Sequence, residues 1–284
     1  MALATWGRTL VRETRASYAF VERNINLVRR YWGWEVVFLV YTVVNALSIT
    51  FIAAASSEIT GQAFAEGVIS DFILYLLVGA LVWNYISVVF GVISETITWE
   101  RWEGTIEYTF MAPISRLTHL LGATLFGILY AVIHTAVILG VVTLFFNVSL
   151  AQANFSSALV LLVLGSFSFV GLGILAAVLP LLFPERGAQM TNVINAIVLL
   201  VSGVYFPITV LPGWMQAIGR SLPAYYVLAG TREALLNGAR IDALVLPYLL
   251  PLLVISVILV PLGLWVFVAA ERYAKRTGRL KRNG

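Results

Sequence analysis

ETITWERWEGTIEYTFMAPISR, residues 95–116, decides how this chain is read. It carries four glutamates (Glu95, Glu100, Glu103, Glu107) and two arginines (Arg101, Arg116), while the sequence on both sides is almost continuously apolar. The flanking apolar runs, 72–94 and 118–146, are long enough to cross a bilayer. Basic residues are what hold a short loop on the cytoplasmic side. An excess of acid in such a loop needs another explanation, and a charged helical element that docks a soluble partner supplies one.

Composition agrees with a membrane setting. Of 284 residues, 60% are hydrophobic and 11% charged, against about 25% charged in a soluble domain. The mean hydropathy is +0.92. Inside a bilayer only helices or a closed barrel satisfy the backbone. A barrel would show short alternating segments, whereas these apolar runs are continuous. The expected fold is therefore all-α integral membrane, with six transmembrane helices at 34–55, 72–94, 118–146, 156–182, 190–211 and 246–270. The third and fourth are long enough to tilt. There is no cysteine, so no disulfide forms. The basic, amphipathic first 32 residues do not resemble a cleavable signal.

Orientation follows from lysine and arginine. Residues 1–32 hold six arginines and residues 271–284 hold six basic residues. Both termini are expected in the cytoplasm, with the protein multi-pass in the cell inner (plasma) membrane. Arg220, Arg232 and Arg240 remain for the last external segment. The net charge of +4 then reflects topology, and no nucleic-acid partner is expected.

Three regions are expected. Residues 1–32 repeat Trp6, Leu10, Tyr18, Val21, Ile25, Val28 and Trp32 at near-helical spacing, the pattern of an amphipathic helix on the cytoplasmic interface. Residues 33–271 form the six-helix membrane domain. Residues 272–284 form a basic cytoplasmic tail. Within the membrane domain, the segment 206–245 is broken by Pro207, Pro212 and Pro223. Its apolar pieces suit short re-entrant or interfacial helices on the external side, and Trp214, Tyr225 and Tyr226 are expected at headgroup level.

Several chemistries lack the residues they require. The two lysines, Lys275 and Lys281, lie in the tail and neither follows glycine, so no phosphate-binding loop is present. The two histidines, His119 and His134, form no metal-ligand pattern. There is no nucleophile elbow. No catalytic residue, metal or resident cofactor is expected. Ion-coupled carriers place acids near the membrane midplane; here Glu35, Asp71, Glu95 and Glu271 are expected at segment ends. Neutral Asn84, Asn192 and Asn195 are the candidates for a translocation path, with ordinary interhelical hydrogen bonding as the plainer alternative. Asn192 and Asn195 share a helical face.

A chain without its own energy coupling but with a charged loop suggests energy delivered by another subunit. Glu100-Arg101-Trp102-Glu103-Gly104-Thr105-Ile106-Glu107, followed by Met111-Ala112-Pro113-Ile114-Ser115-Arg116, resembles the first signature of type-2 ABC exporter permeases. Phe206-Pro207, Leu211-Pro212, Trp214 and Leu222-Pro223 are similar to the second. The resemblance implies the membrane subunit of an ATP-binding-cassette transporter, paired with a second or homologous permease and with two cytosolic ATPase subunits that bind ATP and Mg. It implies a coupling helix in which Glu100, Arg101, Glu103, Gly104, Thr105, Glu107 and Pro113 meet the ATPase. Glu100, Glu103 and Glu107 are spaced to form one acidic stripe on a helix. Phe206, Pro207, Pro212, Trp214 and Pro223 would form an external gate. The family's cargoes imply an amphipathic drug, lipid or lipid-linked glycan moving outward. The alternatives are a passive channel or ion-coupled carrier without an ATPase, or an assembly scaffold.

Overall fold

The computed structural model describes residues 2–60, 66–145 and 152–278, with the side chains of the first helix described from Val11 onward. The end of the basic tail, 279–284, lies outside the described residues. Those residues form helices α1 (Ala2–Arg30), α2 (Trp32–Ala54), α3 (Ser56–Thr60), α4 (Glu66–Glu103), α5 (Ile106–Met111), α6 (Arg116–Phe145), α7 (Phe155–Leu182), α8 (Gly187–Val201), α9 (Gly213–Ser221), α10 (Pro223–Leu236), α11 (Ile241–Leu244) and α12 (Leu250–Arg276). A 3-10 turn, Ile208–Val210, precedes α9, and a π turn, Val245–Leu249, joins α11 to α12. Among the described residues there is no strand.

Among the described residues, five helices are long and apolar enough to cross a membrane: α2, α4, α6, α7 and the run Ile241–Arg276. The fifth expected crossing, 190–211, takes another form. Its helix, α8, has 15 residues, about 22 Å at 1.5 Å per residue, against a hydrocarbon core of about 30 Å. The helix stops at Val201 because Gly203 turns the chain with φ +70 and Pro207 cannot extend it. The segment nevertheless runs antiparallel to α4. Ser94 Oγ meets Thr191 Oγ1 at 3.1 Å, and a Cβ on Gly79 would lie 2.3 Å from the Val204 carbonyl oxygen. The glycine at position 79 is what lets the two backbones come this close.

α4 is the longest element, at 38 residues, about 57 Å. It continues past the expected end of its span, through residues 95–103, without a break. The main core lies between α4, α7, α8, α10 and α12, where Tyr85, Val89, Phe169, Val227 and Leu252 are buried. A second core near the charged loop joins Ile93, Ile97, Ile106, Phe110, Leu120, Ile174 and Phe267. α10 packs against the spans: Ala224, Val227, Leu228 and Ala234 are buried in the same core. α1 packs along α6, with Phe20 and the Ser17 carbonyl against Gly122.

Candidate functional site

The 95–116 segment is built from two helices and a sharp bend between them. α4 ends in a Schellman arrangement. Gly104, at φ 73, donates its N–H to the Arg101 carbonyl (3.2 Å), and Thr105 donates to the Glu100 carbonyl (2.9 Å). Glycine suits this position because the left-handed region costs it nothing. The chain then forms α5 and leaves it at Ala112, which is extended (ψ 143), as the residue before a proline is driven to be. Pro113 follows.

The bend separates the acids. Glu100 is 0% exposed, while Glu103 and Glu107 are exposed and lie on different helices. The single acidic stripe expected from spacing does not form, because Gly104 interrupts the helix between Glu103 and Glu107 and because Glu100 turns inward. Glu100 Oε1 accepts from Arg23 of α1 at 3.1 Å and lies 3.0 Å from His119 Nε2 of α6. Phe20 packs its ring 4.8 Å from that of His119. One carboxylate thus ties together α1, α4 and α6. A buried ion pair of this kind contributes little net stability, yet removing one partner strands the others at a cost of about 3–5 kcal/mol.

Two further clasps hold the loop from behind. Arg116 binds Glu271 of α12 through Nε (2.9 Å) and an Nη (3.0 Å), a bidentate fork. The same guanidinium donates to the Thr109 and Phe110 carbonyls at the end of α5 and covers the Phe110 ring at 4.4 Å. Lys275 completes the group, 2.7 Å from Glu271. On α1, Glu13 accepts from the Ser115 N–H at 3.2 Å and from the Thr118 hydroxyl. These donors, Thr118 first, hold the Glu13 carboxyl below its ordinary value. α1 and the C-terminal end of α12 therefore sit at the same end of the bundle as the loop.

With its inner side so fixed, the loop presents an aromatic and acidic outer face. Trp102 is 66% exposed, Tyr108 74% and Met111 72%. Trp99, also exposed, stacks edge-on against Trp102 at 5.7 Å. Glu103, Glu107 and Pro113 complete the exposed face, and Arg101 is buried.

At the far end of the bundle, Pro207 precedes the 3-10 turn, Pro212 precedes α9 and Pro223 is the first residue of α10. Trp214, Pro207 and Pro212 are exposed, Phe206 is half-buried and Pro223 is buried. Arg232 organises this end. It donates to the carbonyls of Gly203 (3.1 Å), Val204 and Tyr75, and its guanidinium lies over the Tyr75 ring at 3.6 Å. Burial pulls its pKa down to about 10. A cavity of about 320 Å³ opens beside it, lined in part by Tyr75, Tyr225 and Tyr248.

The path candidates come together in part. Asn195 donates to Ser87 Oγ at 3.4 Å, and Asn84 lies one turn from Ser87 on α4. Asn192 is exposed one turn along α8.

This architecture has a known counterpart. The family model of the ABC-2 family transporter protein matches residues 35–265. The chain belongs to the ABC-2 transporter family. Permeases of this family work with a partner ATPase. Linearmycin resistance permease protein LnrN of Bacillus subtilis (strain 168) is 33% identical over 88 residues, covering 31% of this chain. That stretch is 23% of the relative's length, under a quarter of it.

Within this ABC-2 chain, Glu13, Arg23, His119 and Glu271 are the site residues that sequence reasoning missed. Arg23 and Glu100 are 77 positions apart, and Arg116 and Glu271 are 155 apart. Nothing local announces either pairing. Arg116 itself, read as an orienting charge and as the end of the first signature, fastens α5 to α12.

Proposed function

We propose that this chain is the membrane-spanning permease subunit of an ATP-driven exporter. It crosses the plasma membrane six times, counting α8 and the turn after it as the fifth crossing, with both termini in the cytoplasm. It pairs with a second permease copy or a homologous permease. The chain itself hydrolyses nothing; a separate cytosolic ATPase subunit binds ATP and Mg and docks on the 95–116 loop.

The observation that carries this reading is the loop's two-sided construction. Trp99, Trp102, Tyr108 and Met111 are large side chains left exposed on a charged end of the bundle, the residue types that dominate binding energy at protein interfaces. Glu103 and Glu107 flank them and would set register against basic groups of the ATPase. Behind them, three ion clasps leave the loop no freedom to yield. A push on α5 is therefore passed to α4, which runs as one helix to the far end, and to α12 through Arg116. Closure of the ATPase dimer would tilt these helices and open the far-end helices α9 and α10 as a gate. The cargo is an amphipathic drug, lipid or lipid-linked glycan. The relative's name ties that protein to linearmycin resistance, which favours a toxic compound among these.

The test is purification of the tagged chain from its native membrane in mild detergent, with mass spectrometry of what accompanies it and an ATPase assay. A P-loop subunit in about equal amount, with ATPase activity, is the expected result. A chain that purifies alone and inactive, under conditions that preserve other membrane complexes, contradicts the proposal and favours a channel or carrier.

A further inference from the structure

The cavity beside Arg232 holds two opposite charges that do not pair with each other. Arg232 and Glu233 are neighbours on α10 and both line it, together with Tyr75 of α4, Tyr225 of α10 and Tyr248. Successive residues on a helix point about 100° apart, and no ion pair joins these two. The Nη groups of Arg232 donate to the carbonyls of Gly203, Val204 and Tyr75. Its Nε is buried with no acceptor. Glu233 accepts from the Asn237 side-chain amide at 2.7 Å through one of its oxygens.

The tyrosine hydroxyls are open as well. Elsewhere in the bundle Tyr85 bonds to Ser166 and Tyr130 to Glu35. Tyr75, Tyr225 and Tyr248 bond through their hydroxyls to no other described residue. Tyr248 is delivered by the π turn Val245–Leu249, a distortion frequent at functional positions. Holding α8 to α10 accounts for the carbonyl contacts of Arg232. It does not account for a carboxylate and three unbonded phenols around the same void. The cavity, about 320 Å³, is at the lower end of small-molecule sites, about 300–1,000 Å³, so it suits one headgroup rather than a whole drug. A guanidinium beside phenol hydroxyls suits a phosphate. A carboxylate beside tyrosine rings suits an ammonium, above all a quaternary one. A group carrying both signs satisfies both walls, whereas a lone anion meets Glu233 and a lone cation meets Arg232.

We propose that this cavity binds a zwitterionic headgroup, its phosphate toward Arg232 and the tyrosine hydroxyls and its ammonium toward Glu233 and the rings of Tyr225 and Tyr248. A bilayer lipid and a cargo built like one share this chemistry. For a cargo, the inference rests on the permease reading, in which this end of the bundle is the exit. The site itself is testable without the ATPase.

The experiment places the full chain, with any subunit that accompanies it, in nanodiscs of phosphatidylglycerol, which carries no ammonium. Glycerophosphocholine, a headgroup without its chains, is titrated in and followed by saturation-transfer NMR, with the signal from empty discs subtracted. Glycerol 3-phosphate presents the anion alone and choline the cation alone. The expected result is saturable binding of glycerophosphocholine, at least about fivefold tighter than of either part. Glu233→Gln keeps an acceptor for Asn237 and is expected to weaken glycerophosphocholine about fivefold while glycerol 3-phosphate binds no more weakly. Tyr225→Phe with Tyr248→Phe keeps the rings, loses two hydroxyls and should weaken both phosphates about threefold. No binding of glycerophosphocholine, equal binding of all three probes, or an unchanged glycerophosphocholine affinity in both variants overturns the proposal. In discs that also contain phosphatidylcholine, loss of the signal supports the site with a bilayer lipid as its occupant, and a persisting signal supports it with a cargo. If an ATPase co-purifies but no glycerophosphocholine binds, the headgroup site fails and the exporter reading stands. If glycerophosphocholine binds to a chain that never acquires an ATPase, the site stands and the exporter reading fails.

Discussion

The two ends of this bundle are held together by different chemistry. At the end that carries the charged loop, side-chain ions do the fastening. Glu100, Glu271 and Glu13 each reach across to another helix and find Arg23, Arg116 or the Ser115 and Thr118 donors. At the far end, Arg232 meets no carboxylate among the described residues; it holds the backbone carbonyls of Gly203 and Val204 and rests on Tyr75. The helices there are short, and a proline stands at the start of α9 and of α10. Ionic clasps between long helices make a stiff block that transmits a push. Carbonyls held by one buried cation, between short helices, make a region that can rearrange by releasing a single side chain. The difference assigns the lever to one end and the moving parts to the other.

The comparison breaks first at Glu100. Glu100→Leu strands His119 and Arg23 and is expected to cost about 3 kcal/mol, read as a clear fall in melting temperature in detergent. If the loss is under about 1 kcal/mol, the clasp is not what stiffens this end. Arg232→Leu leaves two carbonyls bare at the end of α8, for about 2 kcal/mol. Its effect should be local, with faster hydrogen exchange over residues 201–210 and no change in partner association. Glu103→Arg with Glu107→Arg acts in the opposite sense. Both groups are exposed, so stability should change by under about 0.5 kcal/mol, while association with the ATPase falls at least about tenfold, roughly 1.4 kcal/mol. The smallest effect is in pH. The folded pKa of Glu13 is depressed by its donors, so its contribution is present above the ordinary carboxylate value and is lost as pH falls through the depressed one. Trypsin sensitivity of α1 should rise as pH is lowered through that window, and Glu13→Gln should abolish the dependence.

Much of the fold was legible because bilayer burial writes itself into composition. The long apolar runs became α2, α4, α6, α7 and α12 with small shifts of boundary. The loop's position was legible too, from its density of charge between two apolar runs, but the break at Gly104 was not: spacing read one helix through Glu100, Glu103 and Glu107. What escaped was everything that depends on which faces meet. Spacing placed Glu100 with Glu103 and Glu107, but a turn of 100° per residue on a helix packed by α1 and α6 put it inside. α8 escaped because the apolar run through Val204 does not show that Arg232, 28 residues on, takes the carbonyls that would have continued the helix.

The central claim is that the ATPase docks on the outer face of the 95–116 loop. Its most direct test is a photo-crosslinking residue placed at Trp102, with the same residue at Trp214 on the far end as the comparison. Irradiated in native membranes, Trp102 is expected to yield an adduct with a P-loop subunit and Trp214 none. An adduct from Trp214, or none from Trp102 in membranes where that subunit is present, would contradict the account.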